Sequence, residues 1–161
     1  MKLAKLFTMQ KELDSYIESN QGIQTDVFKE KGLALLVELA ELANETRCFK
    51  FWSTKGPSER QVILEEYVDS VHFLLSLGIA KGLNDLEEWP VGNQSGNLTE
   101  LFIAAQEEIL KFLRNPDLDH YRKVWEIYSA IAAGLGFENE EIIHAYIQKN
   151  EKNYERQRTG Y

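Results

Sequence analysis

Two acidic pairs stand out along the chain, Glu38-Leu-Ala-Glu41 and Glu66-Tyr-Val-Asp69. Within each pair the spacing is i, i+3, which puts both carboxyl groups on one face of a helix. The run from Leu33 to Ala43 is apolar except for Glu38 and Glu41. A helix of that composition is expected to be buried on nearly every side. A buried carboxylate without a partner is costly, so these acids call for cations or a metal. The second run, Val62 to Ala80, repeats the arrangement with a few more polar residues. Four carboxylates from two helices would make an all-oxygen site, which suits magnesium or manganese. Glu-x-x-Glu pairs are also common on solvated faces, where they make ordinary ion pairs. Here the acidic faces continue through Ala34 and Glu45 on one helix and Val62 and Phe73 on the other, without the Lys and Arg of a surface stripe. The metal site is the better reading.

The elements that must position these acids are all helical. Leu3, Leu6, Phe7, Leu13, Tyr16 and Ile17 recur at helical spacing, with Gln10 and Asp14 one turn apart, and Gly22 offers a left-handed stop. The first acidic helix is expected from about Val27 to Thr46. The stretch Arg47-Cys48-Phe49-Lys50-Phe51-Trp52-Ser53-Thr54-Lys55-Gly56-Pro57 then breaks the periodicity. It is aromatic and basic together. It suits either a loop that stacks on a nucleobase and meets phosphate, or a connector packed over the core with lysines at the surface. Ser58 and Gln61 read as a capping box opening the second acidic helix, which should run to about Lys81. His72, one turn beyond Asp69, is read as a packed or supporting residue rather than a metal ligand. Asn84 to Asn97 is a loop that Trp89 would pin to the body. Leu98 to Arg114 forms the next helix, ended by Asn115-Pro116, and Leu118 to Leu135 another, closed by Gly136. A last helix starts near Asn139. On it Lys149, Asn153 and Arg156 share one face with Lys152 beside them, a pattern that charge alone would assign to a solvated helix end. The tail Thr159-Gly160-Tyr161 is expected to be mobile. No strand pattern, repeat or low-complexity tract interrupts the series. The expected fold is an all-α bundle of five to six helices in a single domain, 1–161.

The bulk properties narrow the function. A net charge of −8 argues against general binding to duplex nucleic acid or to an anionic membrane. One cysteine, Cys48, leaves no intrachain disulfide, which fits a reducing compartment. Charged residues interrupt the N-terminal stretch too often for a signal peptide, and no stretch is long and uncharged enough for a membrane span, so a cytoplasmic protein is expected. The string GxxxxGK[ST] is absent, as are HExxH and Cys/His zinc spacings, and no histidine has an evident serine partner. An acid cluster, a basic helical face and an aromatic-basic loop point together to metal-assisted phosphate chemistry.

The pattern ExxE, a gap of 24 residues, then ExxD resembles the signature of the all-α nucleoside triphosphate pyrophosphatases, which include the dimeric dUTPases and the MazG-like enzymes. The ending Tyr146-xx-Lys149-Asn150-xx-Asn153-xx-Arg156-Gln157-xx-Gly160-Tyr161 resembles the C-terminal motif of the dimeric dUTPases. The opening Leu6-Phe7-Thr8-Met9-Gln10-Lys11-Glu12-Leu13-Asp14 and the loop Phe49-Lys50-Phe51-Trp52 are similar to theirs too. The resemblance implies Mg²⁺-dependent hydrolysis of dUTP to dUMP and pyrophosphate, by attack of a metal-activated water at the α-phosphorus. Glu38, Glu41, Glu66 and Asp69 would be the catalytic metal ligands, with Glu38 polarising the water. Lys149, Lys152 and Arg156 would contact phosphates, Asn150 and Asn153 would orient sugar and phosphate, and Asp69 would also meet the 3′-hydroxyl. Gln10 and Trp52 would form the uracil pocket, and Lys55 would reach phosphate. Asp14 stands where some relatives carry Asn. The resemblance also implies a homodimer with helices of both subunits near each site. Two other readings stay open: a MazG-like pyrophosphatase with another base preference, and a non-enzymatic helical interaction protein whose acids form structural ion pairs. Whether dUDP is also cleaved is left open.

Overall fold

The computed structural model describes residues 1–160; Tyr161, with its share of the tail motif, lies outside them. Six helices follow one another: α1 (Ala4–Gln21), α2 (Phe28–Thr46), α3 (Arg60–Ala80), α4 (Leu98–Arg114), α5 (Leu118–Leu135) and α6 (Asn139–Thr159). Among the described residues the sole extended pairing is an isolated bridge between Lys2 and Glu88. The fold is all-α, as the periodicity requires.

The most apolar helix, α3, takes the middle. Twelve of its residues are buried, among them Val68, Val71, Leu74, Leu75 and Leu77. It packs against α1, α2 and α6, while α4 lies on α2 and α5. Two phenols tie α5 to the back of α3. Tyr121 Oη donates to the Leu74 carbonyl (2.9 Å) and Tyr67 Oη to the Tyr128 carbonyl (2.8 Å). Gly78 is what lets Tyr121 come so close, because a Cβ at that position would overlap its ring and hydroxyl.

Local signals set most helix ends. Gly22 and Gly136 adopt left-handed conformations (φ 64° and 68°) and close α1 and α5. Asn97 and Glu100 form a reciprocal capping box at the start of α4. The expected box at Ser58 and Gln61 does not form. Helix α3 starts at Arg60, one residue after its N-cap Glu59, which makes no side-chain cap bond. The Ser58 hydroxyl instead donates to the Glu45 carboxylate at the end of α2, so it ties two helices together rather than capping one. Trp89 does pin the long loop: its indole N–H donates to the Trp125 carbonyl (3.0 Å), and its backbone N–H to the Met1 carbonyl (2.8 Å).

Helix α2 corrects a second expectation. Leu35, Leu39 and Leu42 are fully buried, but Leu33 is 63% and Val37 47% exposed. Its apolar residues therefore wrap two faces, of which the single chain covers one.

Candidate active site

Four helices contribute one stripe each to a common cleft. Asp69, His72, Phe73 and Ser76 follow the i, i+3, i+4, i+7 rule along α3. Lys31 and Glu38, seven apart, come from α2; Gln10, Leu13, Asp14, Ile17 and Glu18 from α1; Lys149, Asn153 and Arg156 from α6. With Ile23 and Val27 these residues line a cleft of about 350 Å³. Seven residues of helix span about 10 Å, so the stripes of α2 and α3 give the cleft two distinct ends.

Glu38, Glu66 and Asp69 gather at one end. Each offers a carboxylate oxygen, and the three oxygens lie within 4.8 Å of one another. The arrangement is electrostatically unfavourable without a cation. The Glu38 carboxyl is pushed up to about 7, first by burial and then by the charges of Asp69, Glu41 and Glu66, with Lys149 opposing. Glu66 is raised by burial and by Asp69 and Glu41. Asp69 is raised by burial even though Lys149 and Arg156 pull it the other way. Lys149 Nζ donates to Asp69 Oδ2 (2.5 Å) and is the cation this end already holds. An all-carboxylate cluster raised first by burial, and at the two glutamates also by neighbouring acids, is the donor set a hard divalent cation requires. Glu41 lies outside the triplet, on an exposed position of the same helix, close enough that its charge acts on both glutamates.

The other end is built from apolar side chains around a hydrogen-bonded relay that ends on Asp14, with Lys31 and Glu18 beside it. Gln10 is buried. Its amide oxygen accepts from Tyr146 Oη (2.8 Å) and meets His72 Nδ1 (2.7 Å); its amide nitrogen donates to Asp14 Oδ1 (2.7 Å). Ser76 Oγ donates to Asp14 Oδ2, and Lys31 Nζ sits between Asp14 (3.5 Å) and Glu18 (3.0 Å). The His72 ring stacks on Tyr146, 4.1 Å between centroids. Burial, helped by the Lys149 charge, lowers His72 to about 3 against the pull of the Tyr146 backbone carbonyl, so the ring is neutral. His72 is thus a buried supporting residue, as its position beside Asp69 implied.

The model of a protein family described as dUTPase matches residues 2–161. The chain belongs to the dUTPase family. A search of curated proteins returns no match. Membership makes the enzyme a dUTP diphosphatase, and its all-α fold agrees with the branch that the acidic pairs and tail resemble.

In the single chain, the cleft brings together some of the residues singled out in the sequence and leaves others apart. Gln10, Glu38, Asp69, Lys149, Asn153 and Arg156 line it, and Glu66 completes the carboxylate triplet beside it. Asn150 is buried but contributes no lining, and Lys152 is exposed on α6 beside the Lys149–Arg156 stripe without lining the cleft. Trp52 and Lys55 are exposed on the connector after α2, where Trp52 packs edge-to-face against Phe49 and Phe51. The residues that sequence reasoning left out of the site are Lys31, Phe73, Ser76 and Tyr146. Phe73 and Ser76 had a signal, since they continue the helical stripe from Asp69. Tyr146 opens the tail motif but was given no role, and Lys31 had no signal, because what brings it to Asp14 and Glu18 is the approach of α2 to α1.

Proposed function

We propose that this enzyme hydrolyses dUTP with Mg²⁺ held by Glu38, Glu66 and Asp69, and with Glu41 drawn in as a fourth carboxylate when the charge of the cation is present. The observation that carries the reading is the bipolar cleft, with three crowded, raised carboxyls and the cations of α6 at one end and an amide relay anchored on Asp14 among apolar side chains at the other. A nucleoside triphosphate has the same division. When bound, the divalent cation supplies positive charge against the phosphate oxygens and makes water a stronger nucleophile. The chain's own groups do the rest. Glu38 orients the attacking water and takes its proton. The new bond forms at the α-phosphorus, the bond to the bridging oxygen of the β-phosphate breaks, and dUMP and pyrophosphate leave. Arg156 and Lys149 neutralise the phosphates, Asn153 holds sugar and phosphate, and Gln10 meets the base.

The exposed face of α2 supports a homodimer. Leu33, Val37 and Ala40 are spaced i, i+4, i+7, and Ala40 shares an apolar groove with Ile103 of α4 and with Cys48 and Phe49. Ile103 is exposed, as are Phe51 and Trp52 on the connector. A surface this apolar fits a second copy of the chain. Trp52 and Lys55, which line no part of the single-chain cleft, would then work in a site shared between copies. We place the enzyme in the cytoplasm; among the described residues no helix is long and apolar enough to cross a membrane.

The test is pyrophosphate release from dUTP, dCTP, dTTP and UTP, with Mg²⁺ and with EDTA. Release from dUTP alone, abolished by EDTA, is the expected result. Equal release from dCTP would move the protein to a pyrophosphatase of broader base preference. Sedimentation of the wild type and of Val37→Asp tests the dimer: the wild type should run as two copies and the variant as one.

A further inference from the structure

Gln10 stands where four polar side chains meet, and an amide can be turned over with almost no change of shape. Its partners therefore decide which atom points where. Two of them are ambivalent, since a neutral imidazole nitrogen donates or accepts according to its tautomer, and the Tyr146 phenol does either. Asp14 is not ambivalent, because a carboxylate only accepts. It takes the Gln10 amide nitrogen on Oδ1, while Ser76 and Lys31 occupy Oδ2. One acceptor-only group at the end of the relay sets the direction of every bond in it. The amide nitrogen of Gln10 faces Asp14, its oxygen receives Tyr146 Oη and His72 Nδ1–H, and the proton of the neutral His72 ring resides on Nδ1. The second amide hydrogen of Gln10 has no acceptor among the described residues, and Gln10 lines the cleft beside Leu13, Ile17 and Phe73.

We infer that Asp14 is a positioning residue for base selection: it locks Gln10 so that the cleft is offered an N–H donor and never an amide oxygen. The inference rests on the reading of this cleft as the dUTP site. Uracil carries a carbonyl where cytosine carries an amino group. A donor fixed in a dry wall pairs with the carbonyl, and against the amine it leaves both groups unsatisfied. The substitution Asp14→Asn would remove the lock, because a side-chain amide both donates and accepts. The relay could then run in reverse, with the introduced amide donating to the Gln10 oxygen, Gln10 donating to His72 Nδ1, and the His72 proton moved to Nε2, a buried nitrogen with no hydrogen-bond partner among the described residues.

The experiment reads the tautomer and the selectivity together. Long-range ¹H–¹⁵N spectra are recorded for wild type and Asp14→Asn, with the His72 signals assigned by their loss in His72→Gln. kcat/KM is measured for dUTP and dCTP with both proteins. The wild type should show His72 as the Nδ1–H tautomer. In Asp14→Asn the Nε2–H form should appear, and the preference for dUTP over dCTP should fall about tenfold or more, the scale of one unsatisfied polar pair. A purely structural aspartate would lower Tm and leave tautomer and preference unchanged, which overturns the inference. So does a wild type with the proton on Nε2. If Asp14→Asn does not fold, Tyr146→Phe decides: it removes one donor and leaves the acceptor-only anchor, so His72 must keep its Nδ1 proton, and a displaced proton refutes the anchor. A wild type inactive on dUTP refutes the dUTP reading and the base preference with it, while the tautomer still decides whether Asp14 directs the relay.

Discussion

The two ends of the cleft are built on opposite principles. At one, Glu38, Glu66 and Asp69 hold more negative charge than Lys149 and Arg156 relieve, and all three carboxyls are raised. At the other, Gln10, His72, Tyr146, Asp14 and Ser76 are joined in one hydrogen-bonded chain, and His72 is held neutral. The first end is unfinished without a cation; the second has its internal hydrogen bonds in place before any ligand arrives, with one Gln10 amide hydrogen left over. An ion-binding end gains from stored repulsion, because a divalent cation relieves it on arrival. A base-binding end gains from rigidity, because discrimination between similar rings depends on donors and acceptors that do not turn.

The sharpest way to break this contrast is to neutralise one carboxylate. Glu38→Gln should lower Mg²⁺-dependent pyrophosphate release by about 10²–10³-fold, the range for losing one group that acts on transition-state charge. It should nonetheless leave the metal-free protein at least as stable as wild type, as thermal melts in EDTA will show. At the finished end both effects should have the same sign. Gln10→Ala strands the Tyr146 hydroxyl, His72 Nδ1 and an Asp14 oxygen together. It should cost about 1–3 kcal/mol in denaturant titrations and reduce kcat/KM for dUTP by about 10–100-fold, the equivalent of that energy.

The pH dependence of stability in EDTA separates the ends again. An acid whose pKa is higher folded than unfolded destabilises the fold as it ionises. The Glu38 contribution is therefore present below the ordinary value of 4.5 and lost as pH rises through about 7. His72 acts in the opposite sense. Its folded pKa, about 3, lies below the ordinary 6.5, so protonation favours the unfolded chain and stability falls as pH drops from 6.5 towards 3. The Tm difference between Glu38→Gln and wild type should widen from pH 5 to pH 8, and saturating Mg²⁺ or Mn²⁺ should close it by raising the wild type. At a hundredfold excess over Kd the cation adds about 2.7 kcal/mol. A gap that does not depend on pH would mean that Glu38 is raised in solution neither by burial nor by its acidic neighbours. The smallest effect belongs to Lys31→Ala. This lysine is partly exposed between Asp14 and Glu18, so its loss should cost about 0.2–1 kcal/mol.

The unfinished end was the more legible in the sequence. Carboxylates at i, i+3 inside apolar runs are a one-dimensional pattern, and the helices that carry them follow from their own periodicity. The series of six helices was readable for the same reason, because most boundaries lie in local residues such as the stops at Gly22 and Gly136 and the start at Asn97. The finished end was hidden. Gln10 and Asp14 look like ordinary polar positions on an amphipathic helix until α3 and α6 bring His72, Ser76 and Tyr146 to them across 62 and 136 residues of sequence. Ser58 misled for a related reason: its local spacing suggested a cap, but a long-range partner, Glu45, took the hydroxyl. Trp52 and Lys55 stand apart from the cleft because nothing within one chain brings the connector to it.

The bond between Lys149 and Asp69 also bears on the order in which the protein is made. It joins residues 80 positions apart, and the lysine lies on α6, which is synthesised after α1 through α5. A nascent chain that has released α1 through α5 already carries the acids of α2 and α3, but not the ammonium group that partners one of them. Until α6 docks, that partly folded chain lacks the positive charges of Lys149 and Arg156 at the cluster. The closing helix therefore does for the newborn chain what the cation later does for the working enzyme, and it lets the fold be completed without waiting for metal.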